Sequence, residues 1–523
     1  MILTENGPLT RIEKFGLAIA LLLVVALMWP LRGYITDDTY IHLQYAKNLA
    51  AGNGFVFNPG ENVYGSTSPL WVALIADGIA LGLDGLMVAK GLGAIATIWS
   101  VILFLQLLRR DLRMPELRAF GVVTWASHAW MSRWSVSGME TPLAVALVLA
   151  GFVAFTEGKQ WGSRPVRTGA LWALAALTRP EAVFLLVLWG IFLIIDTDSR
   201  AGIRRLLFGA LPPAIIYGGW LLYARLTFGS FWPNTLAAKV AGGEGWDYIA
   251  EQLMRQAQIV GATDAALAGA LVAALVFAGA RVWPGRGQWQ AQRLLPWVWV
   301  AALPLLYTMR GVPVLSRYLL PIMPILAWLS WWAVERWWSG NAPRREDRRG
   351  AALLGLGLML LSVVPNLLVH QQKVVPQVDS LSAGMRASLI PWGKWFRENT
   401  ARDAVVAAPD IGAVGYFSER RVLDLAGLVT PGMVPILARM PQEDAVAQFE
   451  FAKVARPEVL MDRAPRPFDL LDRSPFAPAL TPVGHASLPN LGIARPGAAV
   501  YTIYRIDWVV ADSIRRHLAT GAD

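Results

Sequence analysis

Residues 37–73 read DDTYIHLQYAKNLAAGNGFVFNPGENVYGSTSPLWVA, and they follow closely on an apolar run from Phe15 to Leu31. The apolar run is of bilayer-anchoring length. It ends in Trp-Pro-Leu-Arg rather than at a small-residue cleavage site, so it is expected to stay as a first membrane anchor. Two adjacent carboxylates, Asp37 and Asp38, then stand at the membrane surface, where charge is costly unless hydrated, paired or metal-bound. A carboxylate there can serve as a general base for a hydroxyl nucleophile. It can equally cap a helix. Tyr40, Ile41, Leu43, Tyr45 and Leu49 carry the spacing of an amphipathic helix lying on the membrane, and His42 shares its surface. On the dipeptide alone the cap is the favoured role.

Composition widens the membrane reading to the whole chain. Of 523 residues, 55% are hydrophobic and 16% charged, with mean hydropathy +0.43. Soluble domains carry about 25% charged residues. Several of the 24 tryptophans, among them Trp29, Trp331, Trp332, Trp337 and Trp338, flank apolar runs as in an aromatic belt. The net charge of +10 is distributed between apolar runs. Anionic lipid and the positive-inside rule account for it without nucleic acid. With no cysteine there is neither a disulfide framework nor a thiol nucleophile.

Further apolar segments fall near 67–83, 86–108, 119–135, 141–156, 168–178, 181–195, 206–227, 262–281, 293–308, 318–334 and 350–370. This predicts roughly 11–13 spans over residues 1–370, with a polar outward loop at 32–66. Residues 371–523 read as one soluble α/β domain. Its expected strands are Val405–Ala408, Val414–Phe417, Val422–Leu425, Val459–Met461 and Ala499–Ile506, with a helix at Asp512–Leu518. Four basic linkers, Arg109–Arg118, Lys159–Arg167, Arg200–Arg205 and Arg336–Arg349, are assigned to the cytoplasm. The N-terminus is then cytoplasmic, and the Asp37 loop and the C-terminal domain lie outside a multi-pass cell (inner or plasma) membrane protein. One conflict remains: if 67–83 and 86–108 both cross, the Arg109 linker lands outside. At Thr178-Arg179-Pro180-Glu181 a proline interrupts an apolar stretch. The break either lines a cavity or is an interfacial hairpin turn.

The motif in residues 37–73 resembles the first outward loop of GT-C superfamily glycosyltransferases. The likeness is to the branch containing mycobacterial arabinofuranosyltransferases that use decaprenyl-phosphoryl-arabinose. Lipid A aminoarabinose transferases and protein O-mannosyltransferases are more distant relatives. Further matching segments are Ser137-Gly138-Met139-Glu140-Thr141-Pro142-Leu143, Leu177–Glu181, Pro233-Asn234-Thr235 with Lys239, Arg317–Pro321, Asp410–Phe417 and Asp424–Leu428. The resemblance implies a GT-C bundle that transfers a sugar from a polyprenyl-phosphate donor to an extracytoplasmic glycan or glycolipid acceptor, among membrane lipids. Arabinofuranose is the sugar of that branch.

The resemblance makes Asp37 the base, with Asp38 and Glu140 as the other catalytic candidates. Such a reaction also needs cations where the lipid phosphate leaves. Arg179, Lys239 and Arg317 are the candidates. Asn234, Tyr318 and His128 are candidate substrate contacts. Each has a plainer alternative. Glu140 can cap the helix starting at Pro142, Lys239 can snorkel, Arg317 sits where interfacial arginine is common, and His128 can bond between packed helices. Asp410 either faces the site or shapes a turn. No cofactor is required by the sequence. Asp37 and Asp38 could share a divalent ion, but no ligand spacing marks a dedicated metal site. Rival readings are a transporter or lipid flippase, because broken helices and intramembrane charges also mark transport sites, and a non-catalytic cell-envelope scaffold. The acidic pair in an exterior loop and the lack of an internal repeat speak against transport.

Overall fold

A computed structural model describes residues 7–158, 161–195, 200–235, 245–278, 291–311, 314–341, 347–488 and 498–520. It is mostly helical, with one small sheet near the C-terminus. The chain packs as two compact units. Unit 1 comprises residues 1–32, 89–221 and 241–376; unit 2 comprises residues 33–88, 222–240 and 377–523.

Unit 1 is a helical bundle. Its first helix, Arg11–Met28, starts at a capping box in which Thr10 and Glu13 satisfy each other's backbone donors. Gly16 lets that helix approach helix Pro115–Ala126 at Ala119, where any larger residue would collide. Helix Thr141–Phe155 is buried along nearly its whole length. Trp172 of helix Pro165–Thr178 packs edge-on against Phe152, ring centroids 5.1 Å apart. The surface of unit 1 is apolar where that of a soluble protein would be polar, and several charged groups are buried. Leu207, Ile215, Val276, Phe277 and Leu361 are exposed, while Glu13, Arg109, Glu140, Arg179 and Asp264 are buried. Lipid is the solvent that makes such a surface stable.

Among the described residues five helical stretches are long and apolar enough to cross a membrane: Arg11–Leu31, Gly85–Asp111, Gly202–Phe228, Trp246–Phe277 and Arg349–Asn399. Shorter apolar helices include Pro69–Ala80, Thr141–Phe155 and Glu181–Ile195. The 12 residues of Pro69–Ala80 reach only about 18 Å at 1.5 Å per residue, short of the roughly 30 Å hydrocarbon core. The helix in the apolar stretch 67–83 is therefore shorter than one bilayer crossing.

Unit 2 contains a five-stranded sheet in the order β2-β1-β3-β5-β4. The strands are β1 Val405–Ala408, β2 Arg421–Asp424, β3 Val459–Ala464, β4 Leu480–Leu488 and β5 Ala499–Ile506. β1 pairs in parallel with β2 and β3, while β5 runs antiparallel to β3 and β4. Leu423, Leu460, Phe449, Phe476 and Tyr504 form its core, with Phe449 and Phe476 stacked at 4.5 Å.

Two sequence expectations change here. Val414–Phe417 is part of a helix, Gly412–Ser418, rather than a strand. Its Val and aromatic residues look β-like, but its first amides are satisfied by a side chain far away in sequence. β4 was not foreseen, because Pro482 and Gly484 break the strand pattern. They sit at an irregularity on the sheet edge, where such residues are tolerated.

Candidate active site

Asp37 and Asp38 occupy the first turn of helix Asp37–Ala50 in unit 2. The cap of that helix is Thr36, whose hydroxyl accepts the Thr39 N–H at 3.2 Å. The Asp37 carboxylate is thereby spared the capping role. It accepts the Gly412 N–H on Oδ2 and the Ala413 N–H on Oδ1, both at 2.8 Å. Glycine at 412 is needed for this approach, since a Cβ there would collide with the Asp37 backbone carbonyl. Gly415, one turn on, gives Phe57 the same room.

The rest of the loop motif fastens this arrangement. Asn48 donates to the Val56 and Phe57 carbonyls at 3.0 and 2.8 Å, and Gln44 donates to Phe57 at 3.1 Å. Asn58 pairs with both backbone groups of Val422 on β2, at 2.9 and 3.0 Å. Tyr40 packs against Phe417 at 5.1 Å.

A second carboxylate stands beside the first. Asp410 Oδ2 accepts from Arg463 Nη1 at 2.8 Å and from the Tyr501 hydroxyl at 2.6 Å. Arg463 and Tyr501 are direct cross-strand partners on β3 and β5, so the sheet register delivers both to one acceptor. Burial and the charge of Asp410 push the Asp37 carboxyl up to about 7, with Asp38 adding to the rise. The Ala413 and Gly412 amides pull against it. Burial and the same Asp410 charge hold the Tyr501 hydroxyl well above its ordinary range. A half-buried carboxylate that titrates near neutrality suits general-base chemistry.

Unit 1 carries a separate charged cluster. Arg179 leaves helix Pro165–Thr178 with extended backbone, as a residue before proline must. Its Nη1 donates to Glu140 Oε1 at 2.7 Å, and its Nε donates to Glu181. Glu140 takes the backbone position of a cap for helix Thr141–Phe155, but its side chain makes no capping bond. Arg179 lies 5.2 Å over the ring of Tyr318. Arg317 lies 5.3 Å from both the Tyr318 and Trp134 rings. Tyr307 closes the group at 5.2 Å from Tyr318.

The remaining candidates are placed as follows. Asn234 Nδ2 donates to the carbonyls of Gly427 and Leu428 at 2.5 and 3.2 Å, tying its loop within unit 2. His128 is buried in unit 1, where its Nε2 is 3.0 Å from Asp264 and its Nδ1 accepts the Met131 N–H. Lys239 lies outside the described residues. Among the described residues no group of three or more His, Asp or Glu is arranged to hold a metal ion. Sequence reading missed Arg463, Tyr501 and Asp264 altogether, and nothing local to those positions signals their partners.

Comparison with known proteins bears on the fold. ArnT from Cupriavidus metallidurans, solved bound to undecaprenyl phosphate, matches with TM-score 0.56 at 14% identity, covering 94% of this chain and 97% of that one. The Archaeoglobus fulgidus oligosaccharyltransferase matches at TM-score 0.58 and 12% identity, over 86% of this chain and 69% of that one. The fold is of the GT-C type. Mycobacterial arabinofuranosyltransferase AftD shares the GT-C fold at TM-score 0.51 and 16% identity, over 95% of this chain and 42% of that chain. In sequence, the terminal β-(1→2)-arabinofuranosyltransferase of Corynebacterium glutamicum is 32% identical over 252 residues, 42% of this chain and 35% of that protein. The protein of the same name from Mycobacterium tuberculosis is 31% identical over 233 residues, 41% and 36% respectively. These matches span about a third of the length of those relatives. Residues 380–514, in unit 2, match a domain of unknown function, DUF8728.

Proposed function

We propose that the chain is a membrane glycosyltransferase that moves a sugar from a polyprenyl-phosphate carrier to an acceptor hydroxyl. Asp37 takes the hydroxyl proton as the acceptor oxygen attacks the anomeric carbon. The bond to the carrier breaks, and the phosphate departs on the lipid with its negative charge. The observation that carries this reading is the seat of Asp37: two backbone amides fix the carboxylate, and burial with Asp410 poises it near neutral pH. Each oxygen keeps a lone pair for the incoming proton. Arg317 is the cation we assign to the phosphate. Arg179 already serves two carboxylates, so its proposed part is to orient Glu140. Arabinofuranose is the favoured sugar, in keeping with the names of the sequence relatives. The lipids named with ArnT and with the archaeal oligosaccharyltransferase support a polyprenyl-phosphate donor.

Purified protein offered a panel of polyprenyl-phosphate sugars should transfer one of them. Asp37→Asn keeps the size of the side chain and removes the base. It is expected to bind donor and lose about 10²–10⁴ in rate. Near wild-type turnover by this variant would sink the base assignment. If Asp37 and Asp38 share a divalent ion, Asp38→Asn fails equally and the wild-type rate follows added cation.

A further inference from the structure

Unit 1 also holds a cavity of about 480 Å³ that the proposed reaction does not use. Six arginines line it against two carboxylates, and four tryptophans supply much of its wall. One carboxylate is committed to the fold: Glu335 accepts the backbone N–H groups of Arg113 at 2.8 Å and Met114 at 2.7 Å. Two arginines are committed likewise, Arg118 and Arg109 lying 3.0 and 3.3 Å from one oxygen of Glu13.

Four arginines remain, Arg110, Arg113, Arg293 and Arg336, against one carboxylate, Asp111, which feels the charges of Arg293 and Arg110; the cavity keeps a positive surplus. Arg293 lies 5.6 Å over the Trp161 ring. Its buried Nε has no hydrogen-bond partner among the described residues. Arg336 lies 5.6 Å over Trp332. Stacking on an indole holds a guanidinium flat while leaving its in-plane donors open to an anion. A buried donor left without a partner is costly, which makes an anion in this cavity favourable.

We infer that the cavity binds a phosphate group, presented by the headgroup of an anionic phospholipid. Several forked donors match the three or more oxygens of a phosphate better than a lone carboxylate. The volume lies in the ordinary range for small-molecule sites and exceeds the needs of a bare ion. Tryptophan walls suit the amphipathic glycerol region of a lipid. Residues of the Arg109–Arg118 linker and Arg336, at the head of the basic 336–349 stretch, line the cavity, and both stretches have the composition of segments that meet anionic lipid at a membrane face.

The test uses the full chain in detergent, with no sugar donor or acceptor, so it is independent of the transferase reading. Cardiolipin, phosphatidylglycerol and phosphatidylethanolamine are offered in mixed micelles, and inorganic phosphate and pyrophosphate separately. Retention is read by native mass spectrometry and protection by thermal shift. Anionic phospholipid should be retained over phosphatidylethanolamine. Arg293→Gln and Arg336→Gln together should weaken retention about tenfold or more, the loss of a charge-assisted contact. Arg336 is exposed, so Arg336→Gln alone remains informative if Arg293→Gln fails to fold. Asp37→Asn should retain lipid like wild type. Displacement of lipid by pyrophosphate would show that the shared phosphate is what is recognised. Protection by pyrophosphate with no lipid retained would keep the phosphate site but assign it to a soluble ligand. Equal retention of anionic and zwitterionic lipid, or undiminished retention by both arginine variants, overturns the inference.

Discussion

Asp37 is pulled in two directions, by amides that favour its charge and by burial with Asp410 that oppose it. The second pull wins, and the sign has consequences for activity and for stability. As a base Asp37 must be ionised, so the rate of transfer should climb with pH and level off above about 7. Asp410→Asn removes the charge that disfavours ionisation, so the rising limb should move to lower pH; an unmoved limb would exclude Asp410 as its cause. Stability runs the other way. The folded value exceeds the unfolded value of about 3.9, so folding takes up a proton between about pH 4 and pH 7. That contribution is complete below about pH 4 and is lost as pH rises through about 7. Melting temperature measured against pH should therefore slope less in Asp37→Asn than in wild type. Arg179 gives a different prediction. It is 4% exposed, between Glu140 and Glu181. Arg179→Gln strands two buried carboxylates, and thermal unfolding should register a loss of about 3–5 kcal/mol.

Helix Gly412–Ser418 has only 7 residues, too short to be stable on propensity alone. It persists because Asp37 takes its first amides and because Gly415 admits Phe57. Gly415→Ala would set a methyl 2.5 Å from Phe57 Cζ. Such overpacking costs about 1–3 kcal/mol. Chemical denaturation should show that loss, and Phe57→Leu in the same chain should recover part of it. No recovery would mean that the ring is not the obstacle. The contrast with the break at Arg179-Pro180 is instructive. Proline ends a helix by its own covalent geometry, so that break is legible in the sequence. The 412–418 helix is not, because its decisive bonds come from a residue 375 positions away.

At the scale of the bundle, unit 1 exposes large apolar side chains and buries several charged ones, as a bundle in lipid allows. The positive-inside rule predicts that the basic linkers lie in the cytoplasm. A periplasmic-type reporter fused after Asp523 should then be active only outside the cytoplasm. Activity inside would reverse the orientation and the side of the membrane on which transfer is proposed. Hydropathy, basic linkers and the proline break are properties of neighbouring residues, so the amino-acid order by itself determined the membrane bundle and its charged loops, while Asp37 became the leading candidate base through the motif's resemblance to a family. The partners of that base were decided by tertiary structure alone. Asp410 reaches it from another segment, Arg463 and Tyr501 meet through strand register, Arg179 is claimed by two glutamates, and six arginines gather around one cavity. Desolvation and Coulomb energy depend on distance through space, and only the folded chain sets those distances.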